Sequence, residues 1–436
     1  MRDLLIALIV FGAVPFMLAR PSIGVYLWCW ISYMNPHRLA YGWAYHYPFA
    51  AVIAGSTLVA TLFTKDRQKI PWTGITLLWV ALIAWMNVST LFALVPDDAL
   101  KQWDRAMKIQ LMTFVTLLAI TTRERLQWLI WAITLSIGFY GVKGGIFSIL
   151  TMGQYKAWGP PESFIYDNNT LALAIVMIMP LWQYLRMTTD SRLMRTACAS
   201  AMFVSVFAVL ASYSRGAFLA IGAMAMMLVL RTRAKVAVII GLLVMVPVVM
   251  SFMPDEFYER MGTIKTYDQD ASAMGRINAW TFAWNLAVDH PFVGGGFDTF
   301  DPELFKQYAP NPQDFHDAHS IYFEVLAEHG FVGLALFFGL FLATFLAAGK
   351  LRQQARDRDD LKWAFDLGSM IQVCIAGYAV GGAVLGLAYF DLPYHLVAIT
   401  VLARVFVERQ LAESSAPAVA MNEDASLMPD DAATAR

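Results

Sequence analysis

The chain has 436 residues, 58% of them hydrophobic and 15% charged, with a mean hydropathy of +0.53. That composition excludes a soluble globular domain and points to a polytopic membrane protein. The formal net charge of −1 gives no reason to expect nucleic acid or an acidic polymer as partner. Cys29, Cys198 and Cys374 are far apart in apolar segments and form no C-x-x-C pair, so neither a disulfide framework nor a zinc site is indicated.

The N-terminal "MRDLLIALIVFGAVPFMLARPSIG" is apolar after a short charged lead, has no small-x-small cleavage site, and reads as retained. Arg20-Pro21 splits residues 1–33 into two pieces, each short for a full crossing. Because a bilayer core needs roughly 20 apolar residues per helix, spans are predicted near 49–64, 74–95, 107–121, 125–150, 168–187, 196–212, 215–230, 234–253, 320–348, 365–390 and 393–409. The short loops "TKDRQK", "TTRERL", "RMTTDSRLMR", "RTRAK" and "KLRQQARDRDD" all fall on one side, the cytoplasmic one by the positive-inside rule. The opposite side then carries 96–106, 151–167, 213–214, the long loop 254–318 and a turn at 391–392. If residues 4–33 cross once as a broken element, the count is about 12 spans of an all-α membrane domain, residues 1–411. The tail 412–436, rich in Ala, Ser and Asp, is too poor in large apolar residues to offset its ordering entropy and is predicted to be disordered in the cytoplasm.

The loop 254–318 holds eleven acidic residues against four basic ones, which makes its arginine at 276 conspicuous. Within the loop, "GRINAWTFAWNLAVDH" has helical spacing and reads as an amphipathic helix, broken afterwards by "HPFVGGGF". Arg276 leads that helix, and Arg215 in "ASYSRGAFLA" lies where one outward span end meets the next. Arginines on this side depart from the positive-inside trend and suit a bound anion, with headgroup snorkelling as the plainer reading. Lys143, between glycines in "FYGVKGGIF", is either a third cation for the same anion or a snorkelling lysine. Asp167, Asn168 and Asn169 at the outer start of a span are either substrate contacts or the cap of a helix beginning near Thr170.

"DFHDAH" gathers Asp314, His316, Asp317 and His319, yet no H-E-x-x-H or His/Cys framework accompanies it, so a metal is not predicted. His319 precedes a long apolar run. At the positive end of a helix its protonated form is disfavoured, which leaves a neutral imidazole able to accept a proton near neutral pH; a structural histidine at a helix start is the alternative. Glu324 and Glu328 lie within the run and need polar partners there.

"SRGAFLA", "GRINAWTFAWNLAVDHPFVGGGF" and "HSIYFEVLAEHGFVG", in this order across residues 160–335, resemble the conserved region of the Wzy/O-antigen ligase (WaaL) superfamily. "SYMNPHRLAYGWAYHYPFA" (32–50) is similar to its exosortase-associated O-glycosylation ligase branch. The resemblance implies a metal-independent, GT-C-like membrane glycosyltransferase of the bacterial inner membrane, without cofactor, whose site faces the periplasm. It would take a glycan from undecaprenyl pyrophosphate and join it, in the ligases, to a sugar hydroxyl of lipid A–core. Arg215 and Arg276 would hold the pyrophosphate and His319 would act as the base, with Lys143, Asn168, Asn169 and His316 as further substrate contacts. Many relatives carry Asn after the histidine, where this chain has Ser320. Protein O-oligosaccharyltransferases and O-antigen polymerases share the pattern and differ in acceptor, and a transporter for the same lipid is a rival of another class.

Overall fold

The computed structural model describes residues 1–231, 235–251, 258 and 271–426; residues 259–270 of the acidic loop and the last part of the tail, 427–436, lie outside them. No strand occurs among the described residues. The helices are α1 (Arg2–Ala19), α2 (Pro21–Cys29), α3 (Phe49–Phe63), α4 (Gly74–Leu91), α5 (Pro96–Ala119), α6 (Arg123–Leu150), α7 (Asn168–Thr188), α8 (Arg192–Leu210), α9 (Arg215–Arg231), α10 (Lys235–Met250), α11 (Ala271–Asp289), α12 (Pro302–Tyr308), α13 (Ile321–Gln354), α14 (Lys362–Gly382) and α15 (Asp391–Ser426).

Helix starts follow capping chemistry. Thr73, Thr122, Asp167, Ser191 and Asp301 each accept a hydrogen bond from an amide of the first turn, and Pro21, Pro96 and Pro302 open their helices. Helix α7 forms the centre of the bundle: every side chain from Leu171 to Trp182 is buried, as expected of a helix apolar on all sides. It packs between α6 and α8 on one flank and α9 and α14 on the other.

Seven helices among the described residues are long and apolar enough to cross a membrane, fewer than the composition-based count. Helices α9 and α10 are short, and α5 carries charges through its first half. Arg20 is extended and breaks α1 from α2 as expected, but α1 alone is 18 residues and long enough to span, which corrects the reading of two short pieces. Helix α5 begins at 96 rather than 107, because Pro96 and the acids Asp97 and Asp98 suit a helix start. The span predicted over 365–390 stops at Gly382; the glycine-containing stretch 383–390 is a turn, and it replaces the short turn expected at 391–392. Helix α15 runs through Ser426, past residue 412.

The apolar run after His319 holds a break that hydropathy hides. Gly330 (φ 66°, ψ −170°) interrupts α13 and separates 321–329 from 331–354. The break frees carbonyls at 327, 328 and 329, and the glycine turn of the "HPFVGGGF" motif supplies most of the missing partners. Gly295 donates to Ala327 O (2.8 Å) and Gly296 to Glu328 O (2.9 Å), while the Phe331 amide turns to Pro291 O (2.9 Å). Trp85 Nε1 donates to the remaining carbonyl, His329 O, at 3.0 Å. The Asp298 amide then donates to Glu328 Oε1 at 2.8 Å, and Tyr389 donates its hydroxyl to Oε2. These three carbonyls and the Phe331 amide are thus satisfied, which a bilayer interior demands.

Substituting Gly330→Ala puts a Cβ 2.4 Å from Phe292 O at a φ that L-residues avoid. Its expected cost is about 1–3 kcal/mol from strain alone. Thermal unfolding in detergent should show a lowered midpoint and faster proteolysis within 290–300; an unchanged midpoint would disprove the interlock.

Candidate functional site

Helix α11 fixes the approach to His319. Asn278 donates Nδ2 to the carbonyls of Asn311 (2.8 Å) and Asp314 (3.0 Å), and its Oδ1 accepts from the Asn311 amide (2.9 Å). Trp280 donates Nε1 to Ala318 O at 2.8 Å and stacks on Phe323 with ring centroids 5.0 Å apart. Arg276 lies one turn before Trp280 on the same face, so it falls beside His319. The motif residues separated by the acidic loop are therefore neighbours.

His319 itself has φ 42°, the left-handed region that costs a non-glycine residue about 1–2 kcal/mol. Its side chain is solvent-accessible. Burial, and then the Arg276 guanidinium, hold its proton affinity below the ordinary histidine range, with Asp317 and Asp167 opposing. The imidazole is thus kept neutral and able to accept a proton, by its surroundings and an adjacent cation. Asp298 (φ 53°) has its carboxyl shifted upward, by burial and by Asp98 and Asp317, against Arg105 and Lys101.

Arg215 opens α9 directly after the turn of Tyr213 (φ 53°), and Ser214 Oγ accepts from the Ala217 amide to cap it. Gly216 lies so close to the 383–390 turn that a Cβ would sit 2.8 Å from the Val384 side chain. Two residues further along the same turn, a Cβ on Gly386 would lie 3.9 Å from His319 Cα and 3.4 Å from Glu324 Oε2. The turn 384–386 thus touches the helix start that carries Arg215 and the backbone that carries His319.

The other predicted contacts divide. Asp167 caps α7, accepting from the Asn169 amide at 2.8 Å, and its charge reaches His319. Asn168 is buried and donates Nδ2 to Ser212 O at 2.6 Å, tying α7 to the turn that presents Arg215. His316 lies over Gly275, with Nε2 3.0 Å from Asp314 Oδ1. Lys143 is not brought to His319. It is exposed on the flank of α6, over the Phe139 ring at 5.9 Å and among the exposed Ile146 and Phe147, where a lysine snorkels. Arg105, which the alternating charges of α5 conceal as a solvated face, sits 5.4 Å over Phe164 and acts on Asp298. Among the described residues no group of three or more His, Cys, Asp or Glu is arranged for a metal ion.

Residues 200–338 match the family model described as O-antigen ligase, the region that holds Arg215, Arg276 and His319. This region, residues 200–338, places the chain's central part in the Wzy/O-antigen ligase superfamily. Residues 1–190 match a family of unknown function (DUF5935), and no curated protein matches the chain. Membership carries an O-antigen ligase- or polymerase-like activity in a multi-pass membrane protein that handles a lipid-linked glycan. Consistent with a lipid substrate, an apolar groove of about 210 Å³ runs between α13 and α14 from Ile321 and Tyr322, next to His319, past Phe337, Phe341 and Tyr378 to Phe345.

Asn168→Ala leaves the Ser212 carbonyl without its partner, at an expected cost of about 1–3 kcal/mol for a buried unpaired group. In this superfamily member the loss should appear as a lower unfolding midpoint. A midpoint equal to the wild type's would assign Asn168 to substrate rather than to the tether.

Proposed function

We propose that this protein is an O-antigen ligase of the bacterial inner membrane, with its site facing the periplasm, transferring a glycan from undecaprenyl pyrophosphate to a sugar hydroxyl of lipid A–core. The observation that carries the reading is His319: a strained, neutral, accessible imidazole beside Arg276, two residues before Ile321, which lines an apolar groove suited to an isoprenoid chain. The acceptor hydroxyl gives its proton to His319 as its oxygen forms a bond to the anomeric carbon. The bond from that carbon to the pyrophosphate oxygen breaks, and undecaprenyl pyrophosphate departs with the electron pair. Arg215 and Arg276 offset the charge that develops on the departing phosphate oxygens, the role in which planar guanidinium groups exceed lysine. A pyrophosphate ester is already a good leaving group, so two guanidiniums and a base serve without a metal.

The test is reconstitution of the EDTA-treated protein with a lipid-linked glycan and three acceptors: lipid A–core, a Ser/Thr-containing protein and a second lipid-linked glycan. Transfer to lipid A–core is expected. Product on the protein or on the second glycan instead would make it an oligosaccharyltransferase or a polymerase, and a requirement for one specific metal would return His316 and His319 to ligand roles. His319→Ala should bind donor normally and turn over about 10²–10⁴ slower, the usual contribution of a positioned base. Arg→Lys at 215 or 276 should cost about tenfold or more, a charge-assisted hydrogen bond of roughly 1.5–3 kcal/mol.

The pH profile carries the sign of the His319 environment. Because burial and Arg276 lower its proton affinity, the acid limb of kcat/KM should have its midpoint below about 6.5. Removing the opposing carboxylate in Asp317→Asn should move that midpoint lower still. A shift upward, or none, would show that another group titrates.

A further inference from the structure

Glu324 and Glu328 lie one turn apart on α13, and the fold treats them differently. Glu328 has both carboxylate oxygens paired, to the Asp298 amide and the Tyr389 hydroxyl. The Ala388 amide serves the Glu324 carboxylate, but its Oε2 is buried with no hydrogen-bond partner, and so is Oγ of the fully buried Ser320 one turn before it. Neither oxygen is occupied in capping. Ser320 is the N-cap of α13 yet makes no side-chain cap bond. A reciprocal capping box requires the acid at the third helical position, where this chain has Phe323; Glu324 is one residue too late. Both oxygens are therefore left able to pair with a ligand.

Their place explains what they await. Glu324 Oε2 approaches Gly386, as does the backbone of His319, and Asp317 lies within charge range of both His319 and Glu324. Glu324 is only partly buried, and the terminal torsion of its side chain is broad, so its carboxylate can reorient beside Gly386. A carboxylate and a hydroxyl one turn apart suit a polyhydroxylated ring: the carboxylate accepts from ring hydroxyls, and the serine donates or accepts in addition.

We propose that Glu324, assisted by Ser320, binds the acceptor sugar, accepting hydrogen bonds from hydroxyls of the ring whose neighbouring hydroxyl His319 deprotonates. This rests on the ligase reading and adds to it the residue that selects a sugar over a protein hydroxyl.

The experiment titrates donor and acceptor separately in reconstituted full-length wild type, Glu324→Gln and Ser320→Ala. Glutamine keeps the volume and removes the charge. Its acceptor KM should rise about tenfold or more, the penalty for losing a hydrogen bond to a charged group. Donor KM and the single-turnover rate at saturating acceptor should stay within about twofold, an outcome a purely structural role would not give. Ser320→Ala should shift acceptor KM in the same direction by less. A wild type that transfers, beside a Glu324→Gln variant with unchanged acceptor KM, overturns the proposal alone. So does a variant that loses maximal rate or donor affinity with acceptor KM unchanged. A wild type that transfers to no sugar acceptor overturns the ligase reading and the proposal together.

Discussion

The interlock of the glycine turn 294–296 with the break at Gly330 is the constraint on which the site depends. A helix interrupted at membrane depth frees carbonyls and an amide that hydrocarbon cannot satisfy, so the break exists only because a second chain segment is close enough to supply donors and an acceptor. Gly295 and Gly296 can approach because they lack side chains: a Cβ on Gly294 would lie 2.5 Å from Ala327 O, and one on Gly296 would lie 2.4 Å from the Ala93 Cβ. The same turn is held from its other side, where the Leu94 amide donates to Gly295 O at 2.8 Å. What the interlock achieves is orientation. The short segment 321–329 is released from the line of the long helix, and its N-terminus carries His319.

The interlock also relates the two halves of the matched region. Helix α11 precedes the glycine turn directly, so anchoring the turn in α13 anchors α11 against the first segment of α13. Trp280 completes this by holding Ala318 and stacking on Phe323. Arg276 and His319 are therefore positioned by one packed contact between α11 and the start of α13.

Much of this was legible in the sequence, and what was not has identifiable causes. Long apolar helices with Thr, Ser or Asp at their starts announce themselves, and the amphipathic helix in the outer loop was readable from its spacing. Arg276 and His319 could be found because a cation amid eleven acids and a histidine ahead of an apolar run are both exceptions to a pattern. The break at Gly330 could not, because one glycine in "EHGFVG" leaves mean hydropathy unchanged and its partners lie more than thirty residues upstream. Between the two readings of Lys143 the sequence could not choose, for a related reason. Composition says that it sits among glycines, but only helix packing says that Gly141, Gly144 and Gly145 face the bundle and Lys143 faces away. Glu324 and Glu328 look alike in sequence; which one has both oxygens paired is decided by the turn at 383–390 and by Asp298.

The charges around His319 have a consequence for the order of events at the site. Arg276 lowers the proton affinity of the imidazole by placing a positive charge beside it, and Asp317 and Asp167 partly restore it. A guanidinium that receives a pyrophosphate has its charge offset by the ligand, and its repulsion of an imidazolium falls with it. The base is therefore weakest when the site holds no anion and strengthens when the donor arrives. In the proposed reaction this couples base strength to donor occupancy through one shared arginine, with no conformational change required, and proton abstraction from an acceptor is favoured only when there is a glycan to transfer.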